Sequence, residues 1–343
     1  MIRLRLLSWQ PHNAQVITGF LMLAQNNPEK YQVQVPKCIP QKRGEMKWMP
    51  QIVEADYCGY RIAYDTSDGY FDGIGSYASR YDFYFKRSFS PEMNAQILGP
   101  ELAKRVYPLG FNYYVTCKGN PYSFIDGKTW KHTVRQLMGR KNPDYFTPER
   151  FTQEKRLSKG KVIFMTRLWA PEPAFSHEIN DERVYINNMR IEVLNRLKEK
   201  LGDRFIGGCA DDTFARETAP EWIIPPKLTR REIYLKTMQE CDIAIGSMGL
   251  HESIGWKTGE YVAAGKAIVN ERFHYEVPGN FAAGRNYLPF DNAIECVAAV
   301  EYLLEDPMRI EQMKACNREY YNEYLSPDKM IERTLDIVRR ADI

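Results

Sequence analysis

Cysteine is sparse and unpaired in this sequence. Its seven residues, at positions 38, 58, 117, 209, 241, 296 and 316, form no C-x-x-C pair. That excludes a disulfide framework or a zinc ribbon and predicts free thiols in a reducing compartment. The five histidines, at 12, 132, 177, 251 and 274, show neither H-x-x-x-H nor H-E-x-x-H spacing, so a zinc site is not expected. Long apolar runs are missing too. The stretch Val16 to Ala24 has nine residues and carries Thr18 and Gly19, against the ~20 that cross a bilayer. The opening Met1 to Ser8 alternates like a strand and lacks the apolar core and cleavage site of a signal peptide. The expected location is cytoplasmic. No Lys/Arg-rich run interleaved with aromatics occurs, which removes nucleic acid as a partner.

What is present is an ordinary packed composition, 44% apolar and 27% charged over 343 residues, enough for two domains. Net charge is only +3, but it is unevenly spread. Residues 1–150 hold 20 basic against 13 acidic side chains, and the remainder 27 against 31. A basic first half suits an anionic partner or membrane surface; chance imbalance on solvated faces gives the same count.

Apolar runs read as strands at residues 2–8, 31–35, 52–54, 60–64 and 82–86, with helices over 13–25 and 91–98. Together they predict an α/β layer with a parallel sheet. Residues 118–158, punctuated by Lys118-Gly-Asn-Pro, Lys141-Asn-Pro-Asp and Thr147-Pro-Glu around a helix near Trp130 to Met138, read as a connection. Beyond it strands at 161–166, 205–208, 242–246 and 266–270 alternate with helices at 184–201, 230–240 and 252–264. Helices at 293–304, 308–324 and 328–338 close the chain. The second half is the clearer doubly wound domain.

Two motifs invite other chemistry. Gly73-Ile-Gly-Ser-Tyr-Ala matches the dinucleotide pattern G-x-G-x-x-A, but the strand-like Asp82-Phe-Tyr-Phe follows too soon for a phosphate-binding helix. Asp65-Thr-Ser-Asp-Gly ends an apolar strand and offers Asp65 and Asp68 to a divalent metal; carboxylates there are equally ordinary turn formers. Among the histidines, His12 and His251 follow strands, where α/β proteins bind ligands.

The informative segment begins at Gly249 and runs to Val269. It leaves a strand through a loop and enters a helix, with Ser253 as the expected N-cap and Gly255 admitting close backbone approach. Free N–H groups and the positive helix end there form a phosphate site. Glu252 sits in the loop and Glu260 about two turns along, placed to meet both ends of a ligand with a diphosphate between them.

Glu252-Ser-Ile-Gly-x4-Glu260, followed by Ala263-Ala-Gly-Lys-x-Ile-Val, resembles the E-x7-E segment of retaining GT-B glycosyltransferases of the family 4 type. Lys161-Val-Ile-Phe-Met-Thr-Arg-Leu resembles the strand and arginine that open that family's C-terminal domain. Trp222-Ile-Ile-Pro-Pro-Lys-Leu with Arg231-Glu-Ile-Tyr, and Asn286-Tyr-Leu-Pro-Phe-Asp, resemble two further family segments. The match covers residues 160–330 well and the first half in outline.

The resemblance implies an α/β GT-B fold, two Rossmann-like domains facing across a cleft. Residues 1–150 would form the acceptor-side domain, with helix 326–343 packing back onto it, and 151–325 the nucleotide-sugar domain. Glu252 would contact donor-sugar hydroxyls, Glu260 the ribose and Arg167 the diphosphate. Backbone groups of Ser253, Ile254, Gly255 and Trp256, beside His251, would cradle phosphate and sugar. Glu252 and His12 are the catalytic candidates. No cofactor or metal is implied, only a UDP- or GDP-linked sugar as co-substrate. The acceptor would be a glycan or glycolipid, with peripheral contact to an anionic inner membrane face and a role in polysaccharide biosynthesis. Two departures stand out. The family's diphosphate lysine, five positions after the arginine, is Glu172 here, with Lys257 the candidate replacement. The glycine pair of the first loop is replaced by Trp9-Gln-Pro-His-Asn. A non-catalytic nucleotide-sugar or glycan binder of the same fold, and a metal-dependent GT-A-like transferase using Asp65 or Asp68, are the alternatives.

Overall fold

A computed structural model of the chain describes residues 1–36, 50–122, 146–153 and 160–341. The helix expected near Trp130 to Met138 lies outside them, as does Cys38. The chain divides into two compact units. One takes in Met1–Arg150, Glu276–Pro278 and Asn322–Ile343, the other Phe151–Tyr275 and Gly279–Tyr321.

The first unit carries strands β1 (Ile2–Leu6), β2 (Val33–Gln34), β3 (Ile52–Tyr57), β4 (Tyr60–Asp65), β5 (Phe83–Lys86) and β6 (Val106–Pro108), in the order β2-β1-β3-β4-β5-β6 among the described residues. The expected parallel sheet needs one correction, because β3 runs antiparallel to both β1 and β4. The reason is the two-residue turn Cys58-Gly59. Both residues have positive φ, 51° and 82°, the requirement of the hairpin turns that match strand twist. Helix Ala14–Asn26 packs on this sheet, and the final helix, Pro327–Arg340, packs against it in turn. Gly19 permits that crossing: a Cβ there would lie 2.2 Å from the Pro327 carbonyl oxygen. Phe20, Tyr64, Phe85, Ile331 and Leu335 fill the shared core, and the Tyr64 hydroxyl shares a 2.9 Å hydrogen bond with Thr334 Oγ1.

The second unit holds β7 (Val162–Thr166), β8 (Phe205–Ala210), β9 (Ile223–Ile224), β10 (Ile243–Gly246), β11 (Ala267–Glu271) and β12 (Leu288–Phe290). Among the described residues every pairing in this sheet is parallel, and the order is β12-β11-β10-β7-β8-β9. Counted within the unit from the β9 edge, that is 3-2-1-4-5-6, the doubly wound Rossmann order. Its buried strands are nearly continuous apolar runs because helices cover both faces. The expected fold class, α/β with two Rossmann-like domains, is the one found. Strand order reverses between β7 and β10, and connections there leave in opposite directions, opening a crevice at the carboxyl ends of the strands. Among the described residues no helix is long and apolar enough to cross a membrane.

Candidate functional site

β7 ends at Thr166 and is followed by Arg167; β10 ends at Gly246 and is followed by Ser247 to Gly255 and helix Trp256–Ala263. These segments flank the crevice. Gly246 is required by packing, since a Cβ there would meet Asn270 Oδ1 at 1.7 Å. Asn270 Oδ1 in turn accepts from Thr258 Oγ1 at 2.8 Å, fixing the helix on β11. Helix Trp256–Ala263 begins later than expected. Gly255, not Ser253, is its N-cap, and no side chain caps it. The Ser253 N–H instead donates to the Leu250 carbonyl at 3.2 Å, within the preceding turn.

That turn is strained. His251 and Glu252 have φ of 59° and 55°, a left-handed conformation that costs non-glycine residues of order 1–3 kcal/mol each and gathers at ligand sites. Several contacts hold it. The Gly249 N–H donates to the Ser253 carbonyl at 2.8 Å, the Met248 N–H to Glu271 Oε2 at 2.7 Å and the Tyr275 hydroxyl to the His251 carbonyl at 2.9 Å. The result turns the His251 and Glu252 side chains outward, exposed, while Ser253 and Ile254 are buried. Glu252 Oε2 lies 3.4 Å from His274 Nδ1. Beside the turn opens a cleft of about 320 Å³, walled by Glu178, Glu182, Tyr185, Met248, His251 and Glu252.

Glu260 points inward and is buried. Its carboxylate accepts from Arg231 Nη1 at 2.9 Å and from the Tyr234 hydroxyl at 2.8 Å. Burial, reinforced by the Glu260 charge, holds the Tyr234 hydroxyl well above its usual range. Lys257 Nζ sits 4.0 Å from the centre of the Tyr234 ring. Burial pushes the Lys257 ammonium down to about 8; Glu260 opposes the shift, while Arg231, Arg190 and Arg167 add to it. Arg190 is itself pushed down to about 10 by burial. Glu271, 2% exposed, is raised by burial against the Met248 N–H and the Arg190 charge. Arg167, Arg190, Arg231 and Lys257 thus gather near a helix start that no side chain caps, with Glu260 and Glu271 as counter-charges among them; an uncapped helix start beside cations is an arrangement that attracts an anion.

The expected residues Arg167, His251, Glu252, Ser253, Ile254, Gly255, Trp256, Lys257 and Glu260 all fall on the β7 and β10 connections or the helix that follows. His12 belongs to the other unit. There Arg87 Nη1 lies 3.2 Å from its Nδ1. Burial pushes the imidazole down to about 4, against the opposing Asp68 charge, so it is neutral at pH 7. The two candidate metal carboxylates are engaged by cations. Asp65 Oδ2 pairs with Lys86 Nζ at 3.0 Å, both fully buried, and Asp68 pairs with Arg87. Among the described residues no group of three His, Cys, Asp or Glu is placed to hold a metal ion. After Gly73 the helix is five residues long, Ile74–Ala78, too short for a dinucleotide. Glu271 and the Arg231–Tyr234 grip on Glu260 were not assigned from the sequence. Nothing in a single sequence says that a glutamate at a strand end turns back to hold a loop N–H.

No family model matches the chain, and no curated protein matches it. Among solved structures, HepE of Anabaena in complex with UDP and glucose aligns over 78% of this chain and 66% of its own, at 11% identity and a TM-score of 0.42. The C-terminal domain of the glycosyl transferase group 1 family protein LpcC from Francisella tularensis aligns over 51% of this chain and 95% of its own, at 9% identity and 0.34. S. aureus TarM, with fondaparinux, α-GlcNAc-glycerol and UDP, aligns over 94% and 85%, at 9% and 0.38.

Proposed function

We propose that this chain is a glycosyltransferase that moves a sugar from a UDP- or GDP-linked donor to a glycan or glycolipid acceptor, with retention and without metal. One observation carries the reading: a strained acidic turn, an uncapped helix start and a cluster of cations converge on the switch point of a parallel sheet. The diphosphate lies against the Gly255–Lys257 backbone, with Arg167 and Lys257 neutralising it. Lys257 thus takes the part of the absent lysine at 172. Glu252 accepts sugar hydroxyls, and Glu260 accepts the ribose on lone pairs that Arg231 and Tyr234 leave open.

In the transfer, the acceptor hydroxyl oxygen bonds to the anomeric carbon on the face from which the phosphate leaves. The bond from that carbon to the phosphate oxygen breaks, and the hydroxyl proton passes to the departing phosphate. Arg167, Lys257 and the helix start hold the charge that develops there. His12, neutral and in the other unit, is assigned to the acceptor. The basic first half suits peripheral contact with an anionic membrane on the cytoplasmic side; vesicle flotation at low salt checks this, and no binding there removes the membrane from the reading.

A second reading, a nucleotide-sugar or glycan binder without catalysis, draws on Glu172 and on the two partners that already occupy Glu260. Thermal shift with UDP, GDP and ADP, without metal, followed by sugar-nucleotide hydrolysis assays, separates the two. Ligand at 100 times its Kd raises stability by about 2.7 kcal/mol. A shift with turnover supports the enzyme and a shift without turnover the binder. No shift with any nucleotide removes both.

A further inference from the structure

Helix His177–Leu201 buries Ile186, Met189, Val193, Leu194 and Leu197, but also Arg183, Asn187 and Arg190. With Asn180, these polar residues recur at spacings of three, four and three, which is one helix face. Each hydrogen-bonds the main chain of the segment after β7. Asn180 pairs with both the N–H and the carbonyl of Glu172, at 2.9 and 3.0 Å. Arg183 donates to the Ala170 carbonyl at 2.5 Å. Asn187 pairs with the N–H and the carbonyl of Trp169, at 2.9 and 2.8 Å. Arg190 Nη1 donates to the Arg167 carbonyl at 2.5 Å. Side chains of one helix thus bond the main chain of residues 167–172 much as a neighbouring strand would.

Arg190 does more than its three companions. Its Nε donates to Ser247 Oγ at 3.0 Å and its Nη2 to the Met248 carbonyl at 2.7 Å, so it also grips the connection after β10. The guanidinium is 5% exposed and lies 4.4 Å from the centre of the Trp169 ring. Three donors in a fixed plane meet three acceptors on two loops, a geometry that an ammonium cannot reproduce.

We infer that Arg190 is a positioning residue of the anion site: it sets the distance between Arg167 and the His251–Glu252 turn, so the two loops meet a diphosphate as one preorganised unit. The inference rests on the donor-site reading above. Preorganisation of this kind raises affinity by lowering the ordering cost of binding.

The test titrates UDP and GDP into wild type, Arg190→Lys, Arg167→Met and the double variant, with amide hydrogen exchange on the unliganded proteins. Arg190→Lys is expected to weaken binding about tenfold with Arg167 present and less than about threefold without it, because the effect runs through Arg167. Exchange should rise in residues 167–172 and 247–255 together. Additive losses, or exchange that rises in one segment alone, overturn the inference. Ser247→Ala, which removes only the Nε contact, should reproduce a smaller loss and covers the case in which Arg190→Lys fails to fold. If the wild type binds neither nucleotide, the donor-site reading falls, and exchange in the unliganded variants alone decides whether Arg190 couples the loops.

Discussion

Arg231 Nη1 lies 2.9 Å from one oxygen of Glu260, while the Tyr234 hydroxyl occupies the other at 2.8 Å. The carboxylate is 5% exposed. The glutamate that the sequence offers to a ligand is therefore first a structural counter-ion, and any ligand hydroxyl must share a carboxylate that already serves two donors.

Glu260→Gln keeps a hydrogen-bond acceptor for Tyr234 but leaves the Arg231 guanidinium without its counter-charge. Losing one partner of a largely buried pair is expected to destabilise the protein by about 1–3 kcal/mol, the retained amide placing it below full truncation. Urea unfolding reads the loss. Nucleotide affinity should fall in the same variant; unchanged affinity would show that Glu260 serves the fold alone.

Desolvation of the half-buried Lys257 ammonium pushes it down to about 8, below its usual range. Only its protonated form attracts phosphate, so UDP affinity should decline as pH rises through about 8, and Lys257→Met should abolish that dependence. The sign for stability is opposite. Above the folded value the unfolded chain holds the extra proton, so the cost this residue imposes on folding shrinks as pH rises from there towards lysine's ordinary range. At pH 7 Lys257→Met should melt higher than wild type while binding UDP less well, a trade of stability against function. Thermal melts and titrations across pH 6.5–9.5 check both.

His251 is held at φ 59° with an exposed side chain. His251→Gly removes the left-handed penalty and is expected to raise stability by about 0.5–1 kcal/mol. Chemical denaturation measures it, and a loss of stability would mean that the imidazole holds the turn.

Gly246→Ala places a methyl group 1.7 Å from Asn270 Oδ1 and 2.9 Å from Thr258 Oγ1. Strand, helix start and β11 cannot all stay in place, and overpacking of this kind costs about 1–3 kcal/mol or more. A melting temperature equal to wild type would contradict the packing described here.

Much of the second unit was legible. Parallel strands covered on both faces read as apolar runs, so Lys161-Val-Ile-Phe-Met and Asp242-Ile-Ala-Ile announced β7 and β10 directly. In the first unit the hairpin at Cys58-Gly59 hid the antiparallel β3, because cysteine is not a residue that signals positive φ. The late start of helix Trp256–Ala263 was hidden for a related reason. Ser253 has the chemistry of a cap, but the strain at His251 and Glu252 turns its backbone into the preceding turn.

By itself the sequence determined most of the longer strands and helices, though not the short strands β6, β9 and β12, and it placed Arg167, Glu252, Lys257 and Glu260 on or beside connections that leave strand ends. Those are local matters of periodicity, turn chemistry and spacing. Only the tertiary structure decided that Glu260 faces Arg231 and Tyr234, that Glu271 holds the Met248 N–H, and that Arg190 ties two loops more than fifty residues apart. A charged side chain on a helix reads as solvated until its buried neighbours are known, and which polar groups meet across a core is set by strand order, a property of the assembled sheet.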